Sequence, residues 1–551
     1  MQARDAAVTL LAAAALLGTF HCWRVPGVFY STDSAVNLFV LDPPTIAMPR
    51  TALERDLFPL QGTSARPPPH NFLYADARGR PRSTYPVTFP WLCWPFFRLF
   101  GFSGLYVLPA LGAGLAALAA AGLAGSAPRR GAFVSLCATP LAFYGLLFWG
   151  HSLGAAMVLG ALALWSAGRP RAAGLLAGAS ALVRSELLLA GPALLVSAAG
   201  CWPVPPERRA ALGRLAAGVA AGACLVACVN LATTGTLAGT HLTRNLPVTF
   251  AGSAGSPGFM NNWTERVLHV LWAYVGQNQR MAWPVNVALV APLGALFAAG
   301  LLLPARSPAM GALAGLACAA GAALAAFCVL VPGQYATGML AVSPVLALAG
   351  VGFREAREKG DAPAVLAGRF AFLTCLCAAL MAPPGGWQWG PRYLLPEVVL
   401  LAMLAMHAGK TYPRTLRLLL AASVLCQAGA VRDLGAHRQA LGEVASLARE
   451  APAIATDVWF LPYQIWPSLA ADRTLFVRGP GALGDVCATL SGRGLSRAVL
   501  IAGGREAREV LAKYAPAARA AGWELAPLAT YRLPTDDVLQ ALTLVSTRKS
   551  R

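Results

Sequence analysis

Long apolar segments that recur along most of the chain constrain its fold more than any other feature. A helix of roughly 20 apolar residues can cross a bilayer. Of the 551 residues, 57% are hydrophobic and only 12% are charged, and the mean hydropathy of +0.56 is too high for an ordinary soluble globule. We therefore predict an α-helical polytopic membrane protein. Its candidate spans lie at about 6–23, 103–124, 131–149, 152–167, 213–233, 282–304, 309–331, 338–352, 365–382, 394–408 and 418–431.

One further apolar stretch, residues 172–202, is interrupted in its middle by Arg184 and Glu186. Arginines stand at both ends of this stretch, so a single crossing would place cytoplasmic-type charge on both sides of the membrane. Two short spans, 172–183 and 187–202, remove the conflict and leave the polar tip in a protein-lined cavity below the outer surface. The prediction is then about 11 to 13 transmembrane helices.

The positive charges predict the orientation of the spans. Lys and Arg cluster in alternate short loops, which face the cytoplasm by the positive-inside rule. The N-terminus is then cytoplasmic, the first apolar run is an uncleaved span, and the long loops 24–102 and 234–281 lie outside. Residues 1–431 are predicted to form the transmembrane domain of a multi-pass protein of the cytoplasmic (inner) membrane. The basic loops carry Arg129, Arg130, Arg169, Arg171, Arg208, Arg209, Arg214, Arg306, Arg354, Arg357, Lys359, Lys410, Arg414 and Arg417.

Residues 432–551 follow a different pattern, in which charged and apolar residues alternate as they do in soluble domains. Helical periodicity and strand-like runs succeed one another there. We predict a small α/β domain on the extracytoplasmic side. Its helices are expected near 434–450, 482–492 and 505–521, and its strands at Ala453–Phe460, Thr474–Arg478, Ala498–Ala502, Glu524–Tyr531 and Leu539–Ser546.

The net charge of +20 raises the question of a nucleic-acid partner. Most basic residues are arginines between apolar runs, and the sequence has no basic stripe with interleaved aromatic residues. We therefore predict the lipid bilayer, and no nucleic acid, as a partner. The twelve cysteines lie mostly inside apolar segments, where a thiol behaves as a small hydrophobe, and they predict no disulfide or metal framework.

The polar stretch Tyr30–Phe39 follows the first span and contains Asp33. A carboxylate beside a bilayer is costly to ionise unless it has a partner, which indicates a functional group. The alternative is that Asp33 caps a short helix beginning at Ser34, because Ser, Thr and Asp are preferred at that position. The sequence favours neither interpretation, and the two are compatible.

Further candidate site residues come from loops on the same, outer side. Arg184 and Glu186 form either a structural ion pair or a site in which Arg184 faces a phosphate, and both alternatives stay open. His151 lies between the spans 131–149 and 152–167 on this side. It either donates to the same group or is only an interfacial residue at a helix end. Arg392 follows Trp389, whose ring either stacks on a sugar or belongs to the aromatic belt. The other candidates are Tyr85 in the first outer loop, and His241 and Arg244 in the second.

Taken together, these motifs resemble those of the GT-C superfamily of integral-membrane glycosyltransferases, the clan of protein mannosyltransferases and lipid A aminoarabinose transferases. The resemblance covers nearly the whole chain. The arrangement of the motifs, including the outer C-terminal domain, carries more weight than any one of them. In chain order they are Tyr30–Phe39, Ser83-Thr84-Tyr85-Pro86 with Phe89-Pro90, Phe148-Trp149-Gly150-His151, Leu182-Val183-Arg184-Ser185-Glu186 and Trp389-Gly390-Pro391-Arg392-Tyr393-Leu394.

The resemblance implies transfer of a sugar from a polyprenyl-phosphate-linked donor to a glycan, lipid or protein acceptor on the outer face of the cytoplasmic membrane. It implies that Asp33 is either the base toward the acceptor hydroxyl or the carboxylate that orients the acceptor. The donor phosphate would be bound by Arg184, Arg392 and His151. Contacts to the sugar or acceptor are assigned to Tyr85, His241, Arg244 and Trp389.

Metal dependence is the point at which this sequence departs from the clan. Many members have paired carboxylates in the first outer loop, whereas the next acid after Asp33 is Asp42. One carboxylate is a poor site for Mg²⁺ or Mn²⁺. No metal ligand or cofactor is therefore assigned, and a divalent cation stays an open alternative.

Two other functions compete with glycosyl transfer. A transporter or flippase for a lipid-linked saccharide would place charges along a pathway near the membrane midplane, usually with repeated halves, and no repeat is evident here. A receptor whose C-terminal domain binds a ligand would need far fewer spans as an anchor. The sequence therefore favours the enzyme, with the flippase as the alternative.

Overall fold

The protein is described by a computed structural model that covers part of the chain in detail. The residues described are 3–21, 27–41, 73–75, 81–124, 128–200, 206–239, 243, 281–304, 307–332, 338–381, 390–465, 474–477, 479–534 and 537–547. Contacts divide the chain into two compact units. The first is Met1–Cys22 with Leu92–Val431, and the second is Trp23–Trp91 with Arg432–Arg551. The predicted domains, 1–431 and 432–551, assign Trp23–Trp91 to the transmembrane domain, whereas the contacts group this segment with Arg432–Arg551. The domain limits stay a prediction.

The described elements are mostly helices, with two small sheets. The helices are α1 Ala3–His21, α2 Thr32–Leu41, α3 Thr88–Phe100, α4 Val107–Leu123, α5 Pro128–Cys137, α6 Leu141–Gly145, α7 His151–Ser166, α8 Pro170–Ala179, α9 Ala190–Ala199, α10 Pro206–Thr234, α11 Trp283–Leu302, α12 Pro308–Leu330, α13 Met339–Val342, α14 Ala349–Glu358, α15 Ala362–Met381, α16 Leu395–His407, α17 Pro413–Glu450, α18 Leu461–Gln464, α19 Leu483–Gly492 and α20 Ala507–Ala520. The strands are β1 Leu73–Ala75, β2 Pro81–Ser83, β3 Ile454–Thr456, β4 Thr474–Phe476, β5 Arg497–Gly503, β6 Trp523–Arg532 and β7 Val538–Ser546.

Six helices in the described part of the chain are long and apolar enough to cross a membrane. Some of their large apolar side chains are exposed, such as Leu302 with an exposed fraction of 81% and Leu330 with 77%. In a bilayer, lipid would cover such side chains. The prediction of an α-helical multi-pass membrane protein is confirmed, and the exact number of spans stays a prediction. The six are Thr88–Leu123, Arg208–Thr234, Trp283–Leu302, Pro308–Leu330, Arg392–Lys410 and Pro413–Glu450, and shorter apolar helices lie at His151–Ser166, Ser185–Ala199 and Ala362–Cys377.

Glycines allow the backbones of α8 and α10 in the first unit to touch. A Cβ added at Gly174 would lie 2.1 Å from the Leu215 carbonyl oxygen, and one added at Gly218 would lie 2.3 Å from that of Arg171. Small residues of this kind are how membrane helices pack closely. Beyond α8 the chain continues as short 3-10 turns at Ser180–Leu182 and Ser185–Leu189 before α9 begins.

The larger sheet of the second unit confirms the small mixed α/β region predicted near the C-terminus. Its strand order is β4-β3-β5-β7-β6, with β3 parallel to β4 and β5 and β7 antiparallel to β5 and β6. One face packs on α19 and α20, where Tyr514 and Trp523 are buried. The other packs on the end of α17. The predicted strand Ala453–Phe460 is shorter than expected, because β3 ends at Thr456 and α18 follows shortly after.

Candidate functional site

A cationic side chain in the first unit, that of Arg184, lies between α8 and α9, where the apolar stretch 172–202 is interrupted. Arg184 is the extended residue between the two 3-10 turns, with φ −147° and ψ 117°, and it is only 7% exposed. Its Nε donates to Oε1 of Glu186 over 2.6 Å. The ion pair considered from the sequence is therefore present. It engages one edge of the guanidinium, so the pair by itself does not exclude a role in binding an anion.

Arg392 is positioned by a tight turn at the start of the Arg392–Leu394 3-10 turn that leads into α16. Gly390 adopts φ +72°, and a Cβ there would lie 2.8 Å from Cγ of Pro140, so only glycine fits. Arg392 Nη2 donates to the Tyr393 hydroxyl over 2.7 Å. Its Cζ lies 4.8 Å from the centroid of the Tyr393 ring and 5.8 Å from that of Trp149. These aromatic contacts hold the guanidinium by cation–π attraction.

His151 is the third member of the cluster and begins α7. Its ring is buried against Tyr144 and Trp149, with centroid separations of 5.1 and 5.0 Å. Both ring nitrogens of His151, and Nε1 of Trp149, are buried without a hydrogen-bond partner among the residues that the structure describes. Arg184 and Arg392 are each close enough to act electrostatically on His151. They also act on one another.

The chemistry of this cluster suits an oxyanion. Arg184 and Arg392 bring two positive charges and Glu186 brings one negative charge, so these three side chains together carry one net positive charge. A buried donor with no partner costs about 1–3 kcal/mol, so an incoming acceptor for His151 and Trp149 removes a penalty. Guanidinium groups bind phosphate through paired hydrogen bonds. We call these residues the cationic cluster, namely His151, Arg184 and Arg392 with Trp149, Glu186 and Tyr393.

Asp33 belongs to the second unit, in the first turn of α2, and is 6% exposed. The helix starts at Thr32, two residues earlier than the capping interpretation expected, so Asp33 lies inside the first turn rather than before it. A carboxylate there is favoured by the helix dipole. The helix packs against β2 and α18. Asp33 therefore does not cap a helix that begins at Ser34, because it already lies within the helix. Its catalytic role stays a prediction.

Tyr85 lies in the same unit, in the turn after β2. It is buried, and its backbone N–H donates to Oγ of Ser83 over 2.9 Å. The remaining predicted sugar or acceptor contacts, His241, Arg244 and Trp389, lie outside the described residues. Among the described residues no group of three or more His, Cys, Asp or Glu side chains is arranged to hold a metal ion.

Sequence reasoning missed two members of the cationic cluster. Trp149 belongs to the motif that contains His151, and the sequence predicts no role for its indole. Tyr393 follows Arg392 directly and likewise has no predicted role. An aromatic residue next to a candidate cation is a signal for both positions, because Tyr and Trp combine a face that attracts cations with a polar donor.

The chain is similar to solved membrane proteins, whereas no protein-family model matches it and no curated protein sequence matches it significantly. ArnT from Cupriavidus metallidurans bound to undecaprenyl phosphate is similar over 97% of both chains, with 15% identity and a TM-score of 0.36. The Archaeoglobus fulgidus oligosaccharyltransferase in its apo form is similar over 90% of this chain and 69% of that chain, with 13% identity and a TM-score of 0.46.

Proposed function

We propose that the protein is a membrane glycosyltransferase that transfers a sugar from a polyprenyl-phosphate-linked donor to an acceptor on the outer face of the cytoplasmic membrane. The observation that carries the proposal is the cationic cluster. The ring nitrogens of His151 and Nε1 of Trp149 are buried without a hydrogen-bond partner among the described residues, beside two guanidinium groups. Such polar groups cost free energy in a membrane helix bundle unless a ligand satisfies them.

The charge of the cluster fits a lipid-linked monophosphate. A polyprenyl phosphate esterified to a sugar carries one negative charge, which matches the net charge of Arg184, Arg392 and Glu186. After transfer the phosphate gains a second charge, which the same donors stabilise more strongly. Charge stabilisation that grows along the reaction lowers the barrier as well as binding the donor.

In the proposed reaction the acceptor hydroxyl oxygen attacks the anomeric carbon of the sugar. The carbon–oxygen bond to the phosphate breaks, and the leaving polyprenyl phosphate takes the bonding electron pair. Asp33 accepts the proton of the acceptor hydroxyl, as a carboxylate does in inverting glycosidases. Arg184, Arg392 and His151 hold the phosphate. Tyr85, His241, Arg244 and Trp389 are proposed to contact the sugar or the acceptor.

Asp33→Asn tests the base. The variant is expected to insert into membranes normally and to lose transfer of labelled sugar from a polyprenyl-phosphate donor in proteoliposomes, because an amide does not accept the proton. Asp485→Asn is a matched control, since Asp485 is an exposed acid in the first turn of α19. Transfer by Asp33→Asn at the wild-type rate would remove Asp33 from the mechanism.

An assay in detergent, without a sealed bilayer, distinguishes an enzyme from a flippase. Covalent transfer of labelled sugar to an acceptor proceeds in detergent, whereas translocation needs two compartments. A wild-type protein that moves labelled lipid across vesicles and transfers no sugar in detergent with a panel of glycan, lipid and peptide acceptors would replace the proposed function by the transport alternative.

A further inference from the structure

The segment that leads to Asp33 and the C-terminal region contact one another within the second unit. Phe29 N–H donates to the backbone oxygen of Gln464 over 2.7 Å, and Nε2 of Gln464 donates to the backbone oxygen of Tyr30 over 2.9 Å. One glutamine therefore bonds two consecutive residues of the stretch that leads into α2. Asp33 follows three residues after Tyr30.

Apolar and aromatic contacts add to these hydrogen bonds. Val28 is fully buried in the core that Leu441, Ile501 and other residues of the C-terminal region form. The Tyr30 ring packs edge-on against His437 of α17, with centroids 5.2 Å apart. Gln464 is itself 7% exposed and ends α18, against which α2 packs. The C-terminal side of the chain thus helps to position the first turn of α2, together with β2.

We propose that the C-terminal domain takes part in the transfer reaction by holding Asp33, with Gln464 as the positioning residue. This inference rests on the proposed function, in which Asp33 is the base. A general base must lie within hydrogen-bond reach of the proton it removes, and a displacement of about 1 Å can cost on the order of 100-fold in rate. Gln464 touches no substrate in this scheme and acts only through residues 29–33.

Gln464→Met removes the donor to Tyr30 while nearly preserving side-chain volume, and Gln464→Asn is a milder variant that keeps the amide but shortens it by one methylene. Both are tested in the full-length protein in detergent. We expect Gln464→Met to lower kcat at saturating donor by about 10- to 100-fold. We expect its affinity for a labelled polyprenyl phosphate to equal that of the wild type, because the cationic cluster lies in the other unit.

Gln540→Met is the matched control. Gln540 is buried in the same unit, its Nε2 donates to the oxygens of Gly504 and Arg505 over 3.2 Å each, and its Oε1 accepts from Thr530 over 2.7 Å. This substitution removes three buried side-chain hydrogen bonds at residues other than 28–33, against the one that Gln464→Met removes at Tyr30. It is expected to lower thermal stability as Gln464→Met does and to leave kcat unchanged.

Hydrogen exchange supplies a readout independent of activity. Gln464→Met is expected to accelerate exchange in residues 28–41, and Gln540→Met is expected to leave that segment protected. The inference is overturned if residues 28–41 exchange at the wild-type rate in Gln464→Met, or if both glutamine variants lower kcat equally. If the exchange results for the two variants are as expected but the wild-type protein transfers no sugar, the proposed function is overturned instead.

Discussion

Arg392→Lys tests the cationic cluster most directly, because it keeps the positive charge and removes the paired N–H donors of the guanidinium group. In the wild type, Nη2 of Arg392 donates to the Tyr393 hydroxyl over 2.7 Å, and Cζ of Arg392 lies 4.8 Å from the Tyr393 ring centroid and 5.8 Å from that of Trp149. Lysine offers a single ammonium group in place of paired donors. The substitution therefore separates a general need for positive charge from recognition of two phosphate oxygens.

The expected magnitude follows from the contacts that are lost. One charge-assisted hydrogen bond to the phosphate contributes about 1.5–3 kcal/mol. A free-energy loss of that size weakens binding by roughly 10- to 100-fold, since about 1.4 kcal/mol corresponds to a factor of ten. Part of the cation–π attraction survives, because an ammonium group also binds to an aromatic face. Arg392→Ala is expected to weaken binding further.

The assay is equilibrium binding of a radiolabelled polyprenyl phosphate to purified protein in detergent, at two salt concentrations. Arg98→Lys is the control, since Arg98 is an exposed arginine whose Cζ lies 5.6 Å from the Trp94 ring in the same unit. Arg98→Lys is expected to bind as the wild type does. Equal affinities for wild type, Arg392→Lys and Arg392→Ala would refute the assignment of this cluster to the donor phosphate.

Two further predictions concern stability. Gly352→Ala places a Cβ 1.8 Å from the Leu404 carbonyl oxygen, and the overpacking is expected to destabilise the first unit by about 1–3 kcal/mol, whereas Gly315→Ala meets nothing within 4 Å and should not lower the thermal midpoint in detergent. Burial, together with its 2.6 Å hydrogen bond to Asp457, raises the pKa of Tyr514 above its usual value. Because the unfolded tyrosine ionises near pH 10 while the folded one stays protonated, this stabilisation is complete below about pH 10 and is lost above it. Tyr514→Phe is expected to reduce the alkaline fall in the thermal midpoint, and an identical fall in both proteins would contradict this.

The sequence predicted the fold class because the signals for it are local. A bilayer-spanning helix shows itself as a run of apolar residues, and alternating charged and apolar residues indicate the helices and strands of a soluble domain. The strands predicted at Ala498–Ala502 and Leu539–Ser546 correspond to β5 and β7. The interruption at Arg184 was also visible, since a charged residue inside an apolar run stands out without any knowledge of its neighbours.

Partnerships between distant residues were decided by the tertiary structure. Trp149 and Arg392 are separated by more than two hundred positions, and nothing near either one indicates that the guanidinium lies over the indole ring. The hydrogen bond between Gln464 and Tyr30 likewise joins residues that are 434 positions apart in the sequence. Close helix packing is decided in the same way, since Gly174 allows α8 to approach the Leu215 carbonyl oxygen of α10. Periodicity determines which face of an element is apolar, whereas only packing determines which side chains face one another.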